Sequence, residues 1–386
     1  MLLTVSVGIR QGLGLFLKPI SADLGIGREV FAFAMAVQNL LWGLGAPFAG
    51  GIADKYGTGR TLAACALMYA AGLYVLGIST SGTGLVFGSV LLGLGLSALG
   101  FSVVLGVVGR AAPAEKRSMA LGLCAAGGSF GQFAFLPYSE LMLSQFGWSQ
   151  ALIIIAATSL IMVPLSAGLA GQQASAAAQQ QQSLGAALRE AAGHRGFQLL
   201  TLGFFVCGFQ VVFVAVHLPA YLADRGMEPW VGAWCLALVG LFNIIGSFSA
   251  GMFGQTYRKK YVLALIYFGR SLVFIAFILM PLTNTSALIF ASALGLLWLS
   301  TVPLTSGLIA QIFGPTYMSM LYGIVFLSHQ VGSFFGSWLG GYAFDVLGSY
   351  DMMWVLCIML GFIAAALHYP IADRPMPRLA AQPAPA

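Results

Sequence analysis

Apolar segments of about membrane length follow one another along almost the whole chain. A helix that crosses a bilayer needs ~20 mainly apolar residues. Short loops, which carry glycine, proline and most of the charged residues, separate the segments. The pattern predicts twelve transmembrane helices, at 2–20, 29–50, 61–79, 84–108, 118–142, 149–170, 197–222, 231–254, 261–281, 286–312, 318–343 and 351–370.

One longer polar segment divides these helices into two groups of six. Residues 172–195 include four consecutive glutamines and many alanines, a composition without an apolar face that is typical of a linker. Ser183 is a candidate N-cap for a short surface helix within it. We predict a six-helix bundle over 1–171, a linker over 172–195, a second six-helix bundle over 196–372 and a tail over 373–386.

The two groups repeat each other at an offset of 201 residues. Four separated motifs keep that register: Ala22-Asp23 with Gly25 and Ala223-Asp224 with Gly226, Ala49-Gly50 and Ala250-Gly251, Ser118-Met119 and Ser319-Met320, and Gly147 and Gly348. Constant register over motifs so far apart indicates an internal duplication. The predicted fold is an all-α membrane protein whose two six-helix bundles are related by a pseudo-two-fold repeat.

Composition agrees with this fold and excludes several classes of function. The chain is 59% hydrophobic and 7% charged, whereas soluble domains are about 25% charged. Nucleic-acid binding, a metal site and a cofactor are not expected, since no basic face, ligand spacing or phosphate-binding motif occurs. The five cysteines lie in apolar segments without paired spacing. The first span begins at Met1 without a basic region, so no cleavable signal is indicated, and whether the true start lies upstream is left open.

Charge in the loops predicts the orientation. If the N-terminus is cytoplasmic, the inner loops and tail hold 12 of the 17 basic residues, while the outer loops are mainly acidic. The positive-inside rule then predicts that the linker, the tail and both termini are cytoplasmic. We expect the chain to lie in the cytoplasmic membrane.

The stretch from Gly50 to Arg60, Gly-Gly-Ile-Ala-Asp-Lys-Tyr-Gly-Thr-Gly-Arg, reads as a charged, glycine-rich hinge between the second and third spans. It resembles the signature loop of the major facilitator superfamily of transporters. The matching positions are Gly50, Asp54, Lys55 and Gly57, while Thr58 and Gly59 replace basic residues and Arg60 comes one place late. The resemblance implies a gating role for these residues and for Arg60.

A second resemblance narrows the group. The segment from Arg10-Gln11-Gly12 through Ala22-Asp23-Leu24-Gly25 is similar to the first helix and loop of the monocarboxylate transporter and oxalate/formate antiporter group. Members often carry a cation close to the position of Gln11. The aspartate–arginine pair that some members have in the eighth helix is replaced by Asn243 and Ser247.

Polar residues inside the spans are the candidate binding residues, because a charge in a membrane helix normally faces a polar interior or a partner. Arg10 lies halfway along the first span, which lines the cavity in this superfamily, although a structural arginine is the alternative. Arg270 is in the ninth span, which is peripheral in the superfamily, so a structural role is favoured there. The predicted substrate-binding residues are Arg10, Gln11, Gln132, Asn243, Arg270, Tyr322, His329 and Gln330.

Together these observations predict a secondary active transporter, not an enzyme, that moves a small organic anion, most simply a monocarboxylate, by proton symport or by exchange. Scarce buried acids beside two buried arginines favour an anion. An exporter of a neutral or cationic small molecule and a transporter-like membrane sensor are the alternatives. We expect a monomer in the lipid bilayer with a small-molecule substrate.

Overall fold

The computed structural model describes residues 1–101, 103–104, 108, 117–168, 184–314 and 318–377. Within them the chain is helical, and we number the helices in chain order. The first half contains α1 (Leu2–Gly12), a 3₁₀ turn (Leu13–Phe16), α2 (Leu17–Leu24), α3 (Arg28–Tyr56), α4 (Thr58–Gly77), α5 (Gly82–Leu99), α6 (Arg117–Ser159) and α7 (Met162–Ala167). The second contains α8 (Leu184–Gly193), α9 (Arg195–Asp224), α10 (Pro229–Thr256), α11 (Lys259–Leu279), α12 (Asn284–Leu297), α13 (Thr301–Phe313), α14 (Met318–Leu347) and α15 (Asp351–His368).

Nine helical stretches in the described part of the chain are long and apolar enough to cross a membrane. One of them, Ala126–Ala167, covers most of the fifth and the sixth predicted spans. Gly147 leaves the helical conformation within α6, so two helices meet there. The all-α membrane fold is therefore confirmed, while the total of twelve spans stays a prediction. The helix α8 lies inside the predicted linker, with Ala187 and Ala191 buried.

The internal repeat is visible in the backbone. Gly25 and Gly226 both have positive φ, at 62° and 81°, and so do Gly147 and Gly348, at 72° and 70°. Each pair is separated by 201 residues, the offset predicted from the sequence. Positive φ is a conformation that glycine adopts at little cost, so both halves turn at equivalent positions with the same residue type.

The first and tenth predicted spans are not continuous helices, which corrects the prediction. The 3₁₀ turn at Leu13–Phe16 interrupts the first, and residues 298–300 separate α12 from α13 in the tenth. Pro19 contributes to the first break, because it has no N–H to donate to the carbonyl four residues before it. At Gly14 the chain also passes so close to α9 that a Cβ would collide with the Ala215 carbonyl.

The predicted hinge after the second span is also largely helical. The helix α3 continues to Tyr56, and Gly57, with φ 97°, is where it ends. Gly57 is also the N-cap residue of α4. An apolar-run criterion ends the helix too early because the charged residues Asp54 and Lys55 belong to its last turns.

Two seams join the halves: α3 packs against α14, and α6 packs against α10. We call the end of the bundle that contains Asp224 the Asp224 end, and the opposite end, where α3 finishes, the Tyr56 end. Near the Tyr56 end the chain after α15 packs back onto the second half. There the Asp373 carboxylate accepts hydrogen bonds from the Arg258 guanidinium, and Lys260 donates to the Ile371 carbonyl.

Candidate functional site

Arg10 lies on α1 between the two halves and is 9% exposed. Its guanidinium donates to the side-chain oxygen of Gln11, at 2.7 Å, and to that of Asn39 on α3. The ring of Trp42, one helical turn further along α3, lies 5.6 Å from the guanidinium carbon. Among the described residues no carboxylate forms an ion pair with Arg10, so its amide partners leave the positive charge without a counter-charge.

A small cavity adjoins Arg10 where α1, α3 and α9 meet. It has a volume of about 10 Å³ and is lined by Arg10, Gln11, Leu13, Gly14, Met35, Gln38, Asn39, Ala215 and Val216. That volume holds about one water molecule. The polar side chains of the lining come from the first half, and α9 of the second half contributes Ala215 and Val216.

Two cavity residues on α3, Gln38 and Asn39, were not among the predicted site residues. Met35, Gln38, Asn39 and Trp42 fall at helical spacing, so they share one face of α3. A signal existed in the sequence, since two adjacent amides interrupt an otherwise apolar segment. Which way that face points depends on the rotation of α3 in the bundle, and the sequence pattern does not give it.

Two predicted site residues lie on the seam between α6 and α10. The Gln132 amide donates to the Leu236 carbonyl at 3.0 Å, and Asn243 donates to the Ser129 hydroxyl at 2.9 Å. Gln132 also accepts a long contact of 3.5 Å from Gln11, which connects this seam to the surroundings of Arg10. Both residues therefore bond helix to helix across the halves.

His329 and Gln330 lie on the other seam. Nδ1 of His329 is 3.1 Å from the side-chain oxygen of Gln330, and the amide of Gln330 donates to the Asn39 carbonyl at 3.1 Å. Because Asn39 also accepts from Arg10, polar contacts run from His329 in one half to Arg10 in the other. The aromatic rings of Phe326, stacked at 5.7 Å, and Phe204, at 5.0 Å, flank the imidazole.

Arg270 and Tyr322 are not brought to the cavity beside Arg10. The Arg270 guanidinium donates to the carbonyls of Leu297 and Trp298, at the break between α12 and α13, and to the side chain of Gln210. This environment favours the structural alternative for Arg270. Tyr322 packs between the rings of Phe204 and Phe326.

A network of charged residues joins the halves at the Asp224 end, and sequence reasoning missed it. Arg28 at the start of α3 forms two hydrogen bonds with the Asp224 carboxylate, of 2.5 and 2.8 Å, and Lys18 lies 3.1 Å from the same group. Arg28 also donates to the Tyr350 hydroxyl and lies over the Phe344 ring. The Asp345 carboxylate accepts the backbone N–H of Arg28 at 3.0 Å. We call Lys18, Arg28, Asp224, Asp345 and Tyr350 the end network. Its partners are about 200 to 320 positions apart in the sequence, beyond the range of any local pattern.

Comparison with known families decides the class. The model of the Major Facilitator Superfamily matches residues 1–302. The chain belongs to the Major Facilitator Superfamily. The resemblance inferred from the sequence is thereby confirmed, and the protein is a multi-pass membrane transporter rather than an enzyme.

Relatives and solved structures within the superfamily agree with this assignment. The chain is 25% identical over 332 residues to monocarboxylate transporter 13 of Rattus norvegicus, covering 85% of this chain and 75% of the relative. It is 23% identical over 370 residues to monocarboxylate transporter 11 of Mus musculus, covering 92% and 81%. In fold it is similar to a bacterial homologue of the lysosomal transporter Spinster in an inward-facing, unoccupied conformation, with a TM-score of 0.76 at 15% identity over 97% of both chains. A D-xylose–proton symporter matches with a TM-score of 0.72 at 15% identity, again over 97% of both chains.

The residues of the superfamily's signature loop lie on the helix end described above. Lys55 is 5.2 Å from the Tyr56 ring, Arg60 is exposed, and a Cβ at Gly50 would meet open space. The side chain of Asp54 is outside the described part of the structure. A gating role for Gly50, Asp54, Lys55, Gly57 and Arg60 therefore stays a prediction.

Proposed function

We propose that this protein is a secondary active transporter that moves a small organic anion, most simply a monocarboxylate, by alternating access, with Arg10 as the binding cation. The observation that supports this most is the environment of Arg10, a buried guanidinium between the halves that faces a cavity without a carboxylate partner among the described residues. The names of the monocarboxylate transporter relatives support the same class of substrate.

Physical chemistry favours an anion at this position. Keeping an arginine at the centre of a membrane helix costs at least about 2.5–3.5 kcal/mol on insertion scales. A bound carboxylate offsets that cost, because two parallel N–H donors of a guanidinium match its two oxygens. Gln11 and Asn39 hold the guanidinium in place through neutral oxygens, so the charge stays available.

The arrangement of contacts between the halves supports alternating access. The end network fastens the halves at the Asp224 end. Along the seam of α3 and α14, contacts continue as far as the edge-on packing of Trp42 against Phe326 at 5.6 Å. Beyond it toward the Tyr56 end, the described residues form no hydrogen bond or aromatic contact across that seam. With the orientation from the positive-inside rule, the outer end is closed and both termini, the linker and the tail are cytoplasmic.

The cavity is too small to hold a monocarboxylate in this conformation. Room for about one water molecule lies beside Arg10, so α3 and α9 must separate to admit a substrate. The binding step is therefore coupled to movement between the halves, which is the requirement for alternating access.

Two alternatives remain for the substrate and the role. A relative named as a probable sugar efflux transporter, in Mannheimia succiniciproducens, supports a neutral substrate as one alternative. A cation would need a membrane carboxylate, and Glu140 on α6 is the half-buried candidate. A membrane sensor with this fold would bind its ligand without accumulating it.

Uptake into proteoliposomes tests the proposal. We expect saturable uptake of short radiolabelled monocarboxylates, with xylose and a lipophilic cation not taken up. Arg10→Gln should lower uptake at least about tenfold, since a hydrogen bond to a charged group contributes about 1.5–3 kcal/mol. Arg10→Lys should restore part of it, because an ammonium cannot form the two parallel bonds.

The matched control is Arg225→Gln, which removes an exposed arginine whose only described ion pair is a 3.7 Å contact with Asp351. It should transport normally. Normal anion uptake by Arg10→Gln would contradict the role of Arg10, and uptake of xylose or the cation alone would replace the anion by another substrate. Binding without accumulation would favour the sensor.

A further inference from the structure

Gln38 is the one cavity-lining amide whose nitrogen has no hydrogen-bond partner among the described residues. Its side chain is 1% exposed, so bulk water does not satisfy it. The other polar side chains of the cavity are engaged: Gln11 and Asn39 accept from Arg10, and Asn39 donates to the Met35 carbonyl at 2.7 Å.

A buried amide without a partner is costly, at about 1–3 kcal/mol. The described protein groups around Gln38 do not remove that cost, so its partner has to come from the cavity. The same cavity holds the Arg10 guanidinium. Whatever occupies the cavity therefore meets a cation on one side and a neutral amide on another.

Both groups line the same cavity of about 10 Å³, and Gln38 precedes Asn39, the residue bonded to Arg10, in the same helix. A ligand that bonds to both must carry its two polar groups within a few bonds of each other. The remaining lining, Leu13, Met35, Ala215 and Val216, is apolar and suits a short alkyl chain.

We propose that Gln38 is a specificity-determining residue, whose amide hydrogen-bonds an oxygen substituent next to the carboxylate of the transported anion. The proposal rests on the function proposed for Arg10. It states that the carrier prefers a short carboxylate bearing a hydroxyl or carbonyl oxygen near the carboxylate to an unsubstituted alkyl carboxylate of the same length. A site built to hydrogen-bond a substrate group rejects an analogue that lacks it, because its own polar group is then left unpaired.

Butanoate, 2-hydroxybutanoate and 3-hydroxybutanoate test the preference, since they share one chain length. In proteoliposomes of the full-length protein we expect at least one hydroxy acid to be taken up about tenfold more efficiently, as kcat/KM, than butanoate, the range that one hydrogen bond supplies. Gln38→Met keeps the length and unbranched shape of the side chain without its amide. It should lose that preference, because the kcat/KM for the hydroxy acids falls to that for butanoate.

Two further variants keep the result interpretable. Gln38→Leu repeats the loss of the amide with a different shape, in case the methionine variant fails to fold. Gln198→Met changes an exposed glutamine on α9 and should keep the preference. Thermal unfolding in detergent establishes that each variant is folded before uptake is compared.

The failures are distinguishable. If the unmodified protein takes up butanoate and both hydroxy acids equally, or if Gln38→Met and Gln38→Leu keep the preference, the role of Gln38 is overturned while anion transport stands. If none of the three acids is taken up, anion transport fails and the assignment of Gln38 fails with it.

Discussion

The carboxylate of Asp345, in the second half, accepts the backbone N–H groups of Arg28 and Glu29, in the first half, at 3.0 and 2.8 Å. These are first-turn N–H groups of α3, which lack partners within the helix. Gly27 occupies the N-cap position and has no side chain to accept from them. The start of α3 is therefore capped by a residue of the opposite half, and this cap exists only while the Asp224 end is closed.

Asp345→Ala should favour opening of the Asp224 end. Loss of a helix cap costs about 0.5–2 kcal/mol, and here the whole loss falls on the closed conformation. We expect a population shift of about 2- to 30-fold toward the open conformation. Pulsed electron paramagnetic resonance distances between spin labels at exposed Ala22 and Glu228 measure this population shift. Cys65 and Cys124 are replaced by alanine so that only these two positions are labelled.

Asp351→Ala is the control for that measurement. Asp351 is also an exposed carboxylate at the Asp224 end, with a single 3.7 Å contact to Arg225 in its own half. It should leave the distance distribution unchanged. If Asp345→Ala gives the same distribution as the unmodified protein, the cap does not hold this end closed.

Replacing each of the two buried arginines, Arg10 and Arg270, should lower the stability of the protein by different amounts. Arg270 donates three hydrogen bonds to the carbonyls of Leu297 and Trp298, where the break after α12 leaves them without helical partners. Arg270→Gln leaves these buried carbonyls unpaired, at a cost of at least about 2 kcal/mol. Arg10→Gln should cost much less, because its partners are side-chain amides that can reorient. Thermal unfolding in detergent compares the two, and an equal loss would contradict a structural role for Arg270.

The sequence supports the fold more fully than the site. Some features of the fold are local and can be recognised in the sequence. They are the apolar runs of membrane length and the glycines at equivalent positions of the repeat, which have positive φ. Apart from Pro19, no local feature of the sequence marks the breaks at Leu13–Phe16 and at 298–300. Each break lies against a distant group, the Ala215 backbone beside Gly14 in one case and the Arg270 guanidinium in the other, and a linear pattern does not record such contacts.

The site shows the same division. Arg10 and Gln11 are conspicuous because a charge in an apolar span is rare, and they do line the cavity. The sequence pattern did not single out Gln38 and Asn39, because uncharged amides commonly form hydrogen bonds between helices in membranes. The end network was not predicted because its residues lie in loops and at helix ends, where charged residues are common and do not indicate a site.

The return of the chain after α15 should depend on acid pH. The Arg258 guanidinium, by hydrogen-bonding to Asp373, lowers the pKa of that carboxyl below its ordinary value. A depressed pKa means that the carboxylate contributes stability above its unfolded pKa of about 3.9. That contribution is lost as pH falls through the lower folded value. Docking of residues 371–377 should therefore be constant from neutral pH down to about 5 and weaken only below the ordinary aspartate range.

Hydrogen exchange of the Met376 amide, which donates to the Ile312 carbonyl, reports this docking. At pH 7 Asp373→Asn should exchange several-fold faster, since the ion pair is removed while the Gln311 contact to the backbone of residue 373 is retained. Asp351→Asn, an exposed carboxylate at the Asp224 end, is the charge-matched control and should exchange at the unmodified rate. Unchanged exchange in Asp373→Asn would mean that the backbone contacts alone hold the segment.

Proton coupling, if the carrier has it, should depend on His329. Imidazole is the side chain that ordinarily changes charge between pH 5 and 8, whereas arginine stays protonated. The polar contacts through Gln330 and Asn39 connect His329 to Arg10 across the halves. The other titratable and charged groups nearby include Tyr322, which packs against the two rings that flank His329, and the Cys207 thiol, which accepts from Arg270 at 3.4 Å. A change of charge at His329 is therefore placed to alter both anion binding and the seam of α3 and α14.

His329→Gln keeps a hydrogen-bonding side chain but cannot titrate. We expect it to abolish the stimulation of uptake by an inward proton gradient while sparing exchange of solute for solute at equal pH, because exchange needs no net proton movement. His194→Asn, which keeps a capping side chain at the start of α9, should retain both activities. The measurement is initial uptake into proteoliposomes with and without an imposed gradient. A full response to the gradient in His329→Gln would make His329 structural, and the carrier would then be an exchanger or be coupled through another group.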